Sequence, residues 1–233
     1  MARDAAGNVS TSAAVTVTVS NTAPPPTSGL VGAWSFNAGT GTAAADSSGS
    51  GNVGALSGAT WVTTGKFGSA LSFNGTNSRV NIADSASLDL TNGMTLEAWV
   101  RPTAVTNWRT VMLKEGPSGL VYSLYASDGT GPNGFIRVGS VDRGVTAPPT
   151  LPLNTWSHLA ITYDGANLRL FLNGTQAAVT AGTGSMTATT GALRIGGNAV
   201  WSEWFSGLID EVRIYKTALS ATQIQTDMNT PIP

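Results

Sequence analysis

His158 is the only imidazole in a chain of 233 residues that has no cysteine. Thiolate metal sites, thiol catalysis and disulfides are therefore excluded, and a zinc centre lacks its usual ligands. Glycoside hydrolysis would instead need two carboxylates flanking one bond. None of the 13 acids is two residues from another, the spacing that would put a pair on one face of a strand. Asp210 and Glu211 are adjacent and so face opposite ways, while Glu97 and Glu203 each stand alone. No G-x-S-x-G turn supplies a nucleophile for a Ser-His-Asp arrangement. The chain is not expected to be an enzyme.

Binding is better served. Sugar rings pack their C–H faces on aromatic planes and their hydroxyls on polar side chains, and the chain has seven tryptophans. Trp108 with Arg109 in "TNWRT", and Trp201 with Glu203 in "GGNAVWSEW", stand in loop or loop-edge segments, where binding residues gather on rigid scaffolds. These four are the candidate ligand-binding residues; Tyr122, Tyr125 and Arg137 are second-line. The alternative is that each tryptophan covers an edge of its own sheet. Arg169, Arg194 and Arg213 project outward from their strands. Such a set can hold acidic sugars, but a solvated, salt-bridged face is the simpler reading, with Arg213 pairing Glu211 at the surface.

"FSGLIDEVRIYKTALS" poses a separate question. Strict alternation puts Asp210 on one face with Leu208, Val212 and Ile214, and an ionised carboxylate there is costly unless something meets it. Backbone N–H groups at a bulge near Ser206–Gly207 are one partner; a cation is another.

The elements that must position these residues are short strands. From Leu30 to Tyr215, alternating runs such as "MTLEAWV", "HLAITYDG", "NLRLFLNG" and "ALRIGG" follow one another between Gly, Asn, Asp and Pro turns. "YDGANLRLF" reads as a hairpin with an Asp-Gly turn. Met94, Leu96, Ala98 and Val100 oppose Glu97, Trp99 and Arg101; Leu159, Ile161 and Tyr163 oppose His158, Ala160 and Thr162. Ser220 to Gln223 is a capping box that opens a short helix running to about Met228. The fold class is all-β: an antiparallel β-sandwich of two curved sheets with one short C-terminal helix. Net charge is −1 and basic residues are scattered, so a nucleic-acid partner is not expected. No apolar run reaches the roughly 20 residues of a membrane span.

"MARDAAGNVSTSAAVTVTVSN" resembles the end of bacterial immunoglobulin-like or fibronectin-like repeats, with a strand at Ala13 to Ser20. Residues 1–22 are accordingly assigned to the remnant of a preceding module, 23–28 to a Pro-rich linker, 29–228 to the sandwich and 229–233 to a tail. The expected context is a monomeric module of a longer secreted or cell-surface bacterial protein.

Seven pieces in order, "GLVGAWSF", "DSSGSGNVGAL", "GKFGSALSFNG", "MTLEAWVRP", "NTWSHLAITYDGANLRLFLNGTQ", "ALRIGG" and "FSGLIDEVRIYKTALS", resemble the laminin G-like jelly roll of the concanavalin A-like lectin and glucanase superfamily. The resemblance covers about residues 29–228 and implies two packed sheets with ligand-bearing loops at the rim. It implies packing roles for Trp34, Trp156 and the Trp204–Phe205 pair. It also implies a structural calcium between the early Asp-rich loop and the last strand, with Asp46, Asn52 and Asp210 as ligands, in keeping with the oxygen-rich shell calcium takes. The expected function is non-catalytic carbohydrate binding to a polysaccharide or glycan. An adhesion or spacer module that contacts protein is the alternative, because this fold hosts many functions.

Overall fold

The computed structural model describes residues 2–10, 28–117 and 119–233. The strand expected at Ala13–Ser20 and the linker through Thr27 lie outside them. Near the N-terminus, Ala2–Arg3 pairs antiparallel with Val9–Ser10, around a turn in which Asp4 Oδ1 accepts from the Ala6 and Asn8 amides.

The body is a sandwich of two eight-stranded sheets. In the first, the strands run across the sheet as Val141–Thr146, Asn133–Val138, Gly119–Asp128, Trp108–Gly116, Leu193–Ile195, Arg79–Ile82, Gly54–Ser57 and Ala43–Ala44. In the second, the order is Thr175–Ala181, Asn167–Leu172, Ser157–Tyr163, Met94–Pro102, Ser206–Tyr215, Ala70–Asn74 and Thr60–Val62, with Leu30–Trp34 also paired to Ser206–Tyr215. The alternation predicted from sequence places the core. Met94, Leu96, Ala98 and Val100 point inward with Leu159, Ile161 and Tyr163, to meet Val80, Ile82, Met112, Leu124, Ile136, Leu193 and Ile195 of the first sheet. The Asp-Gly hairpin forms as read, Asp164 Oδ1 accepting from Ala166 N and Asn167 N.

The last strand departs from strict alternation. Between the pairs Asp210–Trp99 and Arg213–Glu97, two residues of this strand oppose one of its neighbour. Glu211 takes a left-handed backbone conformation (φ 53°) there. This β-bulge reverses the parity of the strand. Ile209 faces the core before it, and Val212 and Ile214 face the core after it. Asp210 is thus set on the outer face beside Trp99, and the common face expected for Asp210, Val212 and Ile214 does not exist. The carboxylate is met by protein amides: Oδ2 accepts from Lys66 N at 2.8 Å and Phe67 N at 3.0 Å, and Oδ1 from Glu211 N at 2.9 Å. Gly65 permits the approach, because a Cβ there would lie 2.3 Å from Ser69 O and 2.9 Å from Asp210 Oδ2.

The C-terminal helix, Ala221–Met228, opens with the predicted capping box between Ser220 and Gln223. Leu219 and Ile224 pack on Ala160, Phe171 and Tyr215, and Trp99 Nε1 donates to Met228 O. Helix and tail thereby cover the outer face of the second sheet over a group of buried ionisable side chains. Arg213 and Glu211 form an ion pair at 3.2 Å with both side chains buried, so the solvated surface pair expected from sequence is replaced by one sealed beneath the C-terminal tail. Burial, and then the neighbouring Asp227, pushes the Glu97 carboxyl well above its ordinary range. Burial, and then the Arg213 charge, holds His158 neutral with a pKa of about 3. The outer face of the first sheet has no such helix over it, and it carries a cluster of aromatic side chains.

Candidate functional site

On that uncovered face, three neighbouring strands each contribute an outward aromatic. Trp108 begins its strand, and its ring lies 5.1 Å from Tyr125 and 5.9 Å from Phe135, with Tyr125 and Phe135 6.2 Å apart. Edge-to-face and tilted contacts of this kind hold rings in fixed relation. Phe135 lies over Gly144 of the adjoining strand, where a Cβ would come within 2.4 Å of the ring. Leu113 and Leu120 fill the space beneath.

The fourth ring comes from a loop. Phe205 is anchored in the core, edge-on to Phe73, and the chain before it turns back through a bridge between Gly197 and Trp204. Fully buried Asn198 pins this loop. Its Oδ1 accepts from Trp201 N at 2.8 Å, and its Nδ2 donates to Thr110 Oγ1 at 2.9 Å and to Glu203 Oε2 at 2.8 Å. Trp201 is thereby held against the platform while remaining 46% exposed, and Trp108 is 38% exposed. Together Trp108, Leu120, Tyr125, Phe135, Asp142, Trp201 and Glu203 line a cleft of about 270 Å³.

The polar groups of the cleft are acidic. Glu203 Oε2 accepts from the Tyr125 hydroxyl at 3.0 Å as well as from Asn198. Burial raises the Glu203 pKa, and these two donors lower it in part. Burial, and then the Glu203 charge, raises that of Tyr125, which stays protonated as a donor. Asp142 Oδ1 sits 2.9 Å from Arg137 Nε at the rim. An aromatic floor and wall with carboxylate acceptors at its edges can hold a flat, hydroxylated ligand.

Of the four residues expected to bind, Trp108, Trp201 and Glu203 line this cleft. Arg109 supports it: its guanidinium donates to Thr106 O at 2.8 Å and Trp204 O at 3.1 Å, tying the two loops together. Tyr125 belongs to the cleft, whereas Tyr122 points into the core and donates to Leu88 O. Leu120, Phe135 and Asp142 were not singled out from sequence. The outward parity of Phe135 and Arg137 around Ile136 was the available signal for that strand.

The proposed calcium ligands fall into two separate knots. Asp46 Oδ1 accepts from Ala33 N and Ser48 N, and Oδ2 from Ser48 Oγ and Asn52 N. Asn52 turns its side-chain amide nitrogen inward to donate to Val31 O and Ser87 Oγ, and its backbone carbonyl accepts from Trp34 Nε1. Asp210 is occupied with Lys66 and Phe67 and shares no partner with either. Carboxylates filled by N–H and O–H donors do not build a joint shell of roughly six to eight oxygens. No group of three or more His, Asp or Glu among the described residues is arranged to hold a metal ion. The arrangement does not fit a calcium held jointly by Asp46, Asn52 and Asp210.

A family model described as the concanavalin A-like lectin/glucanases superfamily matches residues 74–225. Among solved structures, the chain is similar to domain 4 of AbnA, a GH43 extracellular arabinanase from Geobacillus stearothermophilus, in complex with arabinotriose. The TM-score is 0.73 at 24% identity, over 86% of this chain and 98% of that one. It is similar to the binding domain of Paraclostridial Mosquitocidal Protein 1 (TM-score 0.70, 16% identity, 86% of this chain and 52% of that). It is also similar to the binding domain of botulinum neurotoxin DC in complex with SialylT (0.64, 10%, 87% and 52%). At these identities the likeness shows the fold. Among curated proteins, mouse pappalysin-1 is 34% identical over 88 residues, which span 34% of this chain and 5% of that protein.

Proposed function

This chain belongs to the concanavalin A-like lectin/glucanase superfamily, and from that premise we propose that it is a non-catalytic glycan-binding module of a secreted or cell-surface protein. The observation that carries the reading is the cleft formed by Trp108, Tyr125, Phe135 and Trp201, with Glu203 at its edge, on the sheet face that the C-terminal helix leaves uncovered. Exposed tryptophans fixed by packed neighbours are what a sugar-stacking site needs, since little side-chain freedom is lost on binding. Domain 4 of the arabinanase, in complex with arabinotriose, and the neurotoxin domain, in complex with SialylT, support the same reading at the level of the fold.

Asp142 and Glu203 line one cleft, which raises hydrolysis as a second reading. The bonds they make favour binding: Asp142 is paired with Arg137, and Glu203 Oε2 is taken up by Tyr125 and Asn198 within the protein. The alternative non-enzymatic role, adhesion to a protein surface, makes a different demand on the same tryptophans. A glycan array probed with the purified chain tests the proposal. Binding to one glycan class that is lost in Trp201→Ala is the expected result, and an array with no binder above background would leave protein adhesion as the reading to pursue.

A further inference from the structure

We propose that this cleft selects uncharged over anionic glycans, and that Asp142 and Glu203 make the selection; the inference rests on the glycan-binding reading above. Its ionisable lining consists of those two carboxylates and the protonated Tyr125, and the rest is Trp108, Leu120, Phe135 and Trp201. The adjacent cations are already engaged. Arg109 donates to the Thr106 and Trp204 carbonyls. Arg137, whose guanidinium comes close to Trp201 beside Gly119, is paired with Asp142 at 2.9 Å, so Asp142 masks the one neighbouring cation and Glu203 is left as the uncompensated charge.

A ligand stacked on Trp108 and Trp201 would bring its ring substituents up to these carboxylates. Hydroxyls suit them, because a carboxylate only accepts hydrogen bonds and a hydroxyl can donate. Glu203 Oε2 is filled by Tyr125 and Asn198, so Oε1 is the atom left to accept from a sugar. A uronate, sialate or sulfate in the same place would face the charge of Glu203 in a partly desolvated cleft, while Asp142 holds the neighbouring Arg137 in an ion pair. The outward arginines of the chain cannot serve: Arg169 pairs with Asp164, Arg194 with Glu115, and Arg213 is buried beneath the C-terminal tail.

The test is affinity gel electrophoresis of the chain through two sets of polysaccharides at low ionic strength. The neutral arm holds arabinan, galactan, xylan and mixed-linkage glucan; the anionic arm holds polygalacturonate, alginate and carboxymethylcellulose. Wild type is expected to be retarded by at least one neutral polymer, with tenfold or weaker affinity for every anionic one. Asp142→Asn and Glu203→Gln together are expected to narrow that ratio by tenfold or more. Asp142→Asn alone, at a half-exposed rim position, should narrow it in the same direction by unmasking Arg137. Equal or stronger retardation by an anionic polymer overturns the selection while leaving glycan binding intact. A ratio unchanged in both variants shows that these carboxylates are not the selector. No retardation in either arm removes the glycan-binding reading and this inference with it.

Discussion

The Tyr125 hydroxyl donates to Glu203 Oε2 across 3.0 Å, and this one bond joins the strand that supplies the floor of the cleft to the loop that supplies its wall. Asn198 reinforces it on the same oxygen. The position of Trp201 therefore depends on a buried polar knot as well as on its own packing. Removing the hydroxyl by Tyr125→Phe leaves the ring contacts with Trp108 and Phe135 in place and deletes one charge-assisted bond. A loss of about 1–2 kcal/mol in stability is expected from urea melts, with weaker ligand retention because the loop is held less firmly.

The tryptophans should separate affinity from stability. Trp201 is nearly half exposed, so Trp201→Ala is expected to shift the thermal midpoint by less than about 3 °C. If Trp201 is an energetic anchor, the same change lowers affinity by about 2 kcal/mol, roughly thirtyfold. Trp108→Ala should cost similar affinity and more stability, since Tyr125 and Phe135 lose a ring neighbour. Calorimetric melts beside binding isotherms check both.

Asp210 separates protein amides from a cation as the partner of a buried carboxylate. Asp210→Ala leaves the Lys66 and Phe67 N–H groups without their acceptor, and a loss of about 1–3 kcal/mol is expected. The loss should be the same in calcium and in EDTA, and EDTA should leave the wild-type melt unchanged. A wild-type midpoint that falls in EDTA by as much as the substitution lowers it would show a cation at Asp210.

Beneath the C-terminal helix, the Glu97 carboxyl binds its proton more tightly folded than unfolded, because burial and the neighbouring Asp227 disfavour its charge. The contribution is favourable at pH values below the unfolded carboxylate pKa, and it declines as pH rises from there through the raised folded pKa. Glu97→Gln removes that titration. The variant should gain stability relative to wild type on going from pH 5 to pH 8. Parallel stability–pH curves for the two proteins would contradict this account of the cluster.

Much of this architecture was legible locally. The alternation of "MTLEAWV" and "HLAITYDG", the Asp-Gly hairpin and the Ser220–Gln223 capping box each depend on neighbours within a few residues, and each formed as read. Trp108, Trp201 and Glu203 stood out because tryptophans in loop segments of a strand-rich chain need a reason. What alternation could not show was adjacency. Phe135, Asp142 and Leu120 join the cleft because their strands lie side by side, an outcome of chain topology. Nor could it show the bulge at Glu211, where one extra residue sets Asp210 outside the core while Val212 and Ile214 stay in it. The burial of Arg213 was hidden for the same reason, since the covering helix comes later in the chain.

The central claim is that the aromatic cleft binds glycan, and affinity gel electrophoresis of wild type beside Trp108→Ala and Trp201→Ala tests it most directly. The account predicts retardation of wild type by at least one neutral polysaccharide and its loss in both variants, with Trp201→Ala melting close to wild type. Retardation that survives both substitutions, or no retardation by any polysaccharide tried, would contradict it.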